Sequence, residues 1–240
     1  MANKPDIVYF VKETQINNEL TYSVRSVLEN FKAGGRVIFY GGMPDNLRPD
    51  AHYSVKRDVG IKKWQRVRNV MLECCRNDNI SEDFWLFNDD FFVMKKVTKL
   101  EPIYNRRIED LITAVEGRHG GKMTEYTKQM RHLLATLKGA GLDTKNYAVH
   151  KPMLIRRKNM LEVLEEFPNE PMMRALYGNY FNIGGIEEKD CKIAMNHKIA
   201  FQESWQFVST DDKIFADGEI GKMIREKFSK PCKFEVPVVY

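Results

Sequence analysis

The sequence predicts an α/β fold, a mixed sheet flanked by helices. Short apolar runs rich in Val, Ile and aromatic residues recur at 6–11, 36–40 and 84–87, the pattern of buried strands. Two segments between them, 17–31 and 61–76, carry apolar residues at helical spacing. The resulting order is strand, helix, strand, loop, helix, strand, as in sheets covered on their faces by helices.

Each element has its own warrant. Residues 6–11 (DIVYFV) form a short buried strand. In 17–31, Leu20, Val24, Val27, Leu28 and Phe31 make one stripe, and Asn17 or Asn18 can cap the start. Gly34-Gly35 ends that helix, and 36–40 (RVIFY) is the second strand. GGMPDNLRPD carries Gly, Pro, Asn and Asp in turn positions and is a loop. The helix at 61–76 turns Ile61, Trp64, Val67, Val70, Met71 and Cys74 inward. The third strand, 84–87, ends at Asn88-Asp89-Asp90. In such sheets ligands gather outside the carboxyl ends of strands, where strand order switches.

Residues 101–140 are more polar and basic, and are expected to form a partly helical insertion or lid within a single domain spanning 1–240. Strand character returns at 146–149 (NYAV), leading into His150. Helices are expected at 156–167 and 171–181, separated by Pro168, with a last strand at 201–208 and a helix at 218–228. No internal repeat is visible.

Composition narrows the class. The chain is 240 residues long, 43% hydrophobic and 30% charged, ordinary for a protein that buries a substantial core. No apolar run approaches the roughly 20 residues of a transmembrane helix. MANKPDIVYFVKE lacks the apolar centre of a signal peptide, so a cytoplasmic protein is the simplest expectation. Cys74, Cys75, Cys191 and Cys232 match neither a zinc spacing nor a disulfide framework, and reduced structural thiols are expected. A net charge of +5 and a pI near 8.9 suit anionic ligands such as nucleotides, and are compatible with nucleic acid without requiring it.

The chemistry centres on WLFNDDFFV. Asp is disfavoured in strands, and adjacent carboxylates repel unless something neutralises them. The pair marks either a sharp turn or a cation site. A divalent ion needs hard oxygen ligands, and a nucleotide diphosphate needs such an ion to offset its charge. The motif resembles the DxD motif of GT-A glycosyltransferases, with Asn88 where the first Asp often stands. That resemblance implies Asp90 as direct metal ligand, Asp89 as a supporting one and Asn88 as a partner for ribose.

Other candidates lie elsewhere. Arg66 and Asn69 are three apart on one helix face, positioned to reach the base and phosphates of a nucleotide. Lys62 and Lys63 read better as a solvated face. His150, at the end of an apolar stretch, can serve as acid/base or metal ligand, although a lone histidine is more often structural. His52, His119, His132 and His197 have no context that raises them above that. Arg156, Arg157 and Arg174 can hold phosphate. Asp211-Asp212 can cap the following helix. An EF-hand loop there fails because Lys213 and Phe215 stand where oxygen ligands are needed.

Taken together, these segments resemble the Stealth family of sugar-phosphate transferases. NNELTYSVRSVLENF is similar to the start of that family's second region, through Glu19, Leu20, Tyr22, Ser23, Arg25 and Ser26. GGMPDNL and ISEDFWLFNDDFFVMKKV resemble its remainder, YAVHKPMLIRRKNMLEVLEEFP its third region and FVSTDDKIFADGEIGKMIREKFSKPCKFE its fourth, while PMMRALYGNY places Arg174 on the family's arginine. The resemblance covers most of the chain outside 101–140. It implies a GT-A-like (Rossmann-like) fold, a nucleotide-sugar donor, a divalent metal (Mn2+ or Mg2+), and roles for Asp89, Asp90, His150 and Arg174.

Two departures bear on the reaction. Lys12 stands where the family's opening strand usually ends in an Asp, and Asp211-Asp212 replaces an Asn-Asp. The expected activity is therefore metal-dependent transfer of the sugar itself to a hydroxyl acceptor. Asp211, His150 or Asp89 is the expected base, and Arg174 stabilises the leaving diphosphate. Sugar-1-phosphate transfer forming a phosphodiester in capsule or glycan synthesis is the alternative. A further alternative is a DNA-modifying glycosyltransferase or nucleic-acid binder, motivated by Arg106, Arg107, Arg118, Lys122, Lys128 and Arg131. The acceptor is thus a glycan, a polysaccharide or modified DNA.

Overall fold

The computed structural model describes residues 4–55, 62–194 and 201–236; Ile61 and His197 fall outside the described residues. The chain builds a mixed α/β structure around a five-stranded sheet. Its first half runs β1 (Asp6–Val11), α1 (Asn18–Asn30), β2 (Val37–Gly41), β3 (Ala51–Tyr53), α2 (Lys63–Arg76) and β4 (Asp83–Phe87). These follow the expected order, with β3 as an added edge strand. Then come β5 (Phe91–Val93), β6 (Ile103–Tyr104), α3 (Ile108–Arg118), α4 (Glu125–Gly139), β7 (Met153–Arg156), α5 (Arg157–Glu166) and α6 (Met173–Tyr180). The last elements are β8 (Ile186–Glu187), β9 (Lys192–Ile193), β10 (Phe207–Thr210), α7 (Asp212–Asp217) and α8 (Glu219–Lys227).

The main sheet has the order β3-β2-β1-β4-β7. Its first four strands are parallel, with Val8 opposite both Ile38 and Leu86, and β7 is antiparallel to β4. The chain winds outward from β1 to β3, then returns to place β4 on the other side of β1. Strand order therefore switches between β1 and β4.

Alternation along the strands separates two cores. Ile7, Tyr9, Phe39, Trp85 and Phe87 face α1 with Phe91 and Val93 of β5. Val8, Ile38, Phe84, Leu86 and Ile155 face the opposite way, onto α2, α5 and α6. Ile108, Ile112, Val115, Met130, Leu133 and Leu137 of α3 and α4, from the 101–140 stretch, belong to that same second core. The polar face of α1 is equally specific. Ser26 accepts from the Val93 amide (2.9 Å), and Ser23 and Asn30 donate to the Phe91 and Val93 carbonyls. These bonds hold β5 outside the main sheet, as the edge of a second sheet ordered β5-β10-β9.

Two expected strands form elsewhere. Residues 146–149 are not a strand, because their polar backbone is engaged otherwise. The Asn146 amide donates to the Arg106 carbonyl, and Asn179 both accepts from the Lys145 amide and donates to its carbonyl. Tyr147 instead packs against Gly178, where a Cβ would fall 2.3 Å from the ring. The strand that pairs with β4 follows Pro152. Likewise the last strand is β10, not 201–208, since a turn with Trp205 N–H bonded to the Gln202 carbonyl precedes it. All four cysteines are free thiols. Among the described residues no helix is long and apolar enough to cross a membrane.

Candidate active site

The carboxyl ends of β1 and β4, where strand order switches, carry Lys12 and Asn88-Asp89-Asp90 respectively. A polypeptide leaving one sheet for another must turn between them. The Phe91 amide closes that turn onto the Asn88 carbonyl (3.2 Å), leaving the Asn88 side chain exposed and both carboxylates half-buried.

Asp89 is fixed by α1. Asn17 caps that helix by accepting from the Leu20 amide and also donates its Nδ2–H to Asp89 Oδ2, both at 2.9 Å. Burial pushes the Asp89 carboxyl above its ordinary range and the charge of Asp90 adds to the push, which Asn17 and Lys12 only partly offset. Lys12 thus works as a countercharge to Asp89.

Asp90 is held by the second sheet. Lys192 on β9 pairs with its Oδ2 at 2.6 Å, and the Ser209 hydroxyl of β10 donates to the same oxygen at 2.9 Å. The other oxygen, Oδ1, is buried with no hydrogen-bond partner. Glu19, in the first turn of α1, accepts from the Thr210 hydroxyl (3.2 Å). Burial, then the charges of Asp212, Asp90 and Asp89, push its carboxyl up to about 8, so it holds a proton at neutral pH.

Beside these lie Arg174 on α6 and His150. Arg174 donates to the Lys151 carbonyl at 2.7 Å, but its Nε is sealed from water without a partner. Burial lowers the guanidinium to about 10, against the opposing pull of Asp190 and Asp90. A buried donor of this kind favours an anion. His150 meets Asp190 at 2.7 Å through Nδ1, and its ring lies edge-on to Phe91, centroids 6.3 Å apart.

The structure therefore gathers Asp89, Asp90, Arg174 and His150 into one neighbourhood, linked through Asp90, Asp190 and Phe91. Arg66 and Asn69 are in the first two turns of α2, which begins at the same carboxyl edge of the sheet; Arg66 is exposed and Asn69 half-buried. Asp211 accepts from the Ile214 amide at 2.8 Å as the N-cap of α7, while the charge of its neighbour Asp212 acts on Glu19. Arg156 and Arg157 pair with Asp83 and with Asp78 and Glu82. The residues that the sequence did not mark as part of the site are Asn17, Glu19, Asp190, Lys192 and Ser209. For Asn17 the capping signal was visible; for Asp190, Lys192 and Ser209 no local pattern marks them.

The two carboxylates fit a Mg2+ or Mn2+ ion of the kind that takes one or two carboxylates and completes its shell with phosphate and water. The buried, unpartnered Asp90 Oδ1 is the observation in favour. Among the described residues no three His, Cys, Asp or Glu side chains converge to hold a metal by themselves.

No family model matches the chain, and no curated protein sequence matches it. Among solved structures, the glycosyltransferase GlyE of Streptococcus pneumoniae TIGR4 aligns with a TM-score of 0.37 and 10% sequence identity, over 95% of this chain and 50% of that one. The chain spans about half the length of that structure, and a likeness this loose bears on neither activity nor substrate.

Proposed function

We propose that this chain is a metal-dependent glycosyltransferase that moves a sugar from a nucleotide-sugar donor to a hydroxyl acceptor. The observation that carries this reading is the pair Asp89-Asp90 on the switch-point edge, with one buried carboxylate oxygen unpartnered and a guanidinium short of partners close by. A dianionic diphosphate needs that combination.

In this reading Asp90 and Asp89 hold the metal, which when bound offsets the charge that develops on the diphosphate. Arg174 supplies its guanidinium charge to the same leaving group. Asn88, exposed at the turn, meets the ribose, and Arg66 and Asn69 approach from the start of α2. His150 is the base for the acceptor hydroxyl in preference to Asp211, whose carboxylate is committed to capping α7. The nucleic-acid reading draws less support from the surface. Arg131 pairs with Glu116, Arg107 with Asp143 and Lys128 with Glu125, so much of the basic stretch is already neutralised.

The test is calorimetry with a panel of nucleotide sugars, with and without Mn2+, on wild type and Asp90→Ala. Metal-dependent binding that the variant loses supports the reading. Equal binding by both proteins removes Asp90 as the metal anchor. The nucleotide product then separates two chemistries: sugar transfer releases a nucleoside diphosphate, whereas sugar-phosphate transfer releases a nucleoside monophosphate.

A further inference from the structure

Asp190 belongs to no motif, lying in the short connection between β8 and β9, yet each of its oxygens meets His150, and the Cys191 backbone N–H bonds the carboxylate as well. Oδ1 accepts the His150 backbone N–H at 3.0 Å, and Oδ2 meets the ring Nδ1 at 2.7 Å. A carboxylate has no proton to give, so the ring contact requires the hydrogen on Nδ1. Burial works to raise the Asp190 carboxyl, but the bonds from His150 hold it below its ordinary value, so it is ionised at neutral pH. The His150 carbonyl is tied by the Cys191 thiol at 3.0 Å, and Phe91 limits rotation of the ring. The imidazole is clamped at backbone and ring by a single carboxylate.

We propose that Asp190 is a positioning residue, which fixes His150 as its Nδ1–H tautomer and leaves the Nε2 lone pair to take the proton of the acceptor hydroxyl. The final clause rests on the transferase reading above; the tautomer does not. In the transfer step the acceptor oxygen bonds to the anomeric carbon. The bond from that carbon to the diphosphate oxygen breaks, and its electron pair leaves with the diphosphate. The acceptor's proton passes to Nε2, and the resulting imidazolium is paired with Asp190.

Asp190→Asn is a sharp test because of the second contact. An amide NH2 cannot accept the His150 backbone N–H, so the Asn oxygen must stay there and its NH2 must face Nδ1. The substitution therefore forces the hydrogen from Nδ1 to Nε2 while conserving shape. The experiment labels the histidines of the full chain with 15N and assigns His150 by the signals lost in His150→Gln. The neutral tautomer is then read from the ring 15N shifts, with thermal melts confirming that each variant is folded.

The expected result is Nδ1–H in wild type and Nε2–H in Asp190→Asn, with turnover down roughly 100-fold or more and KM within about threefold. Asp190→Glu restores Nδ1–H and part of the turnover. Nε2–H in the wild type, Nδ1–H retained in Asp190→Asn, or unchanged turnover in that variant overturns the proposal. If wild type consumes no nucleotide sugar while the tautomer inverts as expected, the transferase reading fails and the assignment of Asp190 to the ring stands.

Discussion

Glu19→Gln should flatten the pH dependence of stability. Glu19 keeps its proton in the folded chain up to about 8, against an ordinary value of 4.5. Between those values the unfolded chain gives up a proton that the folded chain retains. The resulting stabilisation is fully present below about pH 4.5 and is lost as pH rises through about 8. The gap of about 3.5 pH units, at about 1.4 kcal/mol each, sets a ceiling of roughly 5 kcal/mol. Glu19 is only half-buried, and solvent screening reduces this to about 2 kcal/mol. For a chain of this size that corresponds to roughly 4–8 °C in Tm. The assay is thermal melting of wild type and Glu19→Gln at pH 5 and pH 8.5 in low salt. Wild type should lose those degrees relative to the variant, cancelling other groups that titrate in both. Equal slopes would refute the reasoning and place Glu19 outside the field of the acidic pair. Adding Mn2+ should narrow the difference, because a cation near Asp89 and Asp90 lets Glu19 release its proton at lower pH.

Further perturbations probe the same edge and its supports. Lys192→Gln removes the ammonium that competes for Asp90, and Mn2+ affinity by calorimetry should rise roughly fivefold, about 1 kcal/mol; unchanged affinity would mean that the cation does not bind at Asp90. Gly42→Ala would bring a Cβ to 2.3 Å from the Lys12 carbonyl. Urea titration should show a loss of about 1–3 kcal/mol, and full stability would show that the ends of β1 and β2 can separate. Arg25 donates bidentately to Glu235, and both side chains are largely buried, at 11% and 16% exposure. Arg25→Ala should cost about 3 kcal/mol, with only partial recovery in Arg25→Lys, which cannot reproduce the fork.

The first half of the fold was legible because each element carries its own period. The alternation of DIVYFV, the stripe of α1 and the apolar ring-rich run of β4 are local statements, and they place Asp89-Asp90 at a strand end without any tertiary information. NYAV misled because its apolar side chains serve burial while the Asn146 backbone is bonded to the 105–106 loop and Asn179 holds both backbone groups of the preceding Lys145. β9, a two-residue strand of Lys192 and Ile193, has no period to read at all. Asp211 and Asp212 are indistinguishable in sequence, and only the helix that follows decides which one caps it. The part of the site that sequence concealed is thus the part made by distant segments: Lys192, Ser209 and Asp190.

That distance also fixes when the site comes into being. Asp90 meets Lys192 across 102 residues of chain and Ser209 across 119, so its surroundings close only after long loops have closed. Contacts absent from the folding transition state leave the folding rate alone and act on the rate of opening. A donor analogue bound at this edge should therefore prolong the lifetime of the folded chain without hastening its formation, the kinetic signature of a latch fitted last.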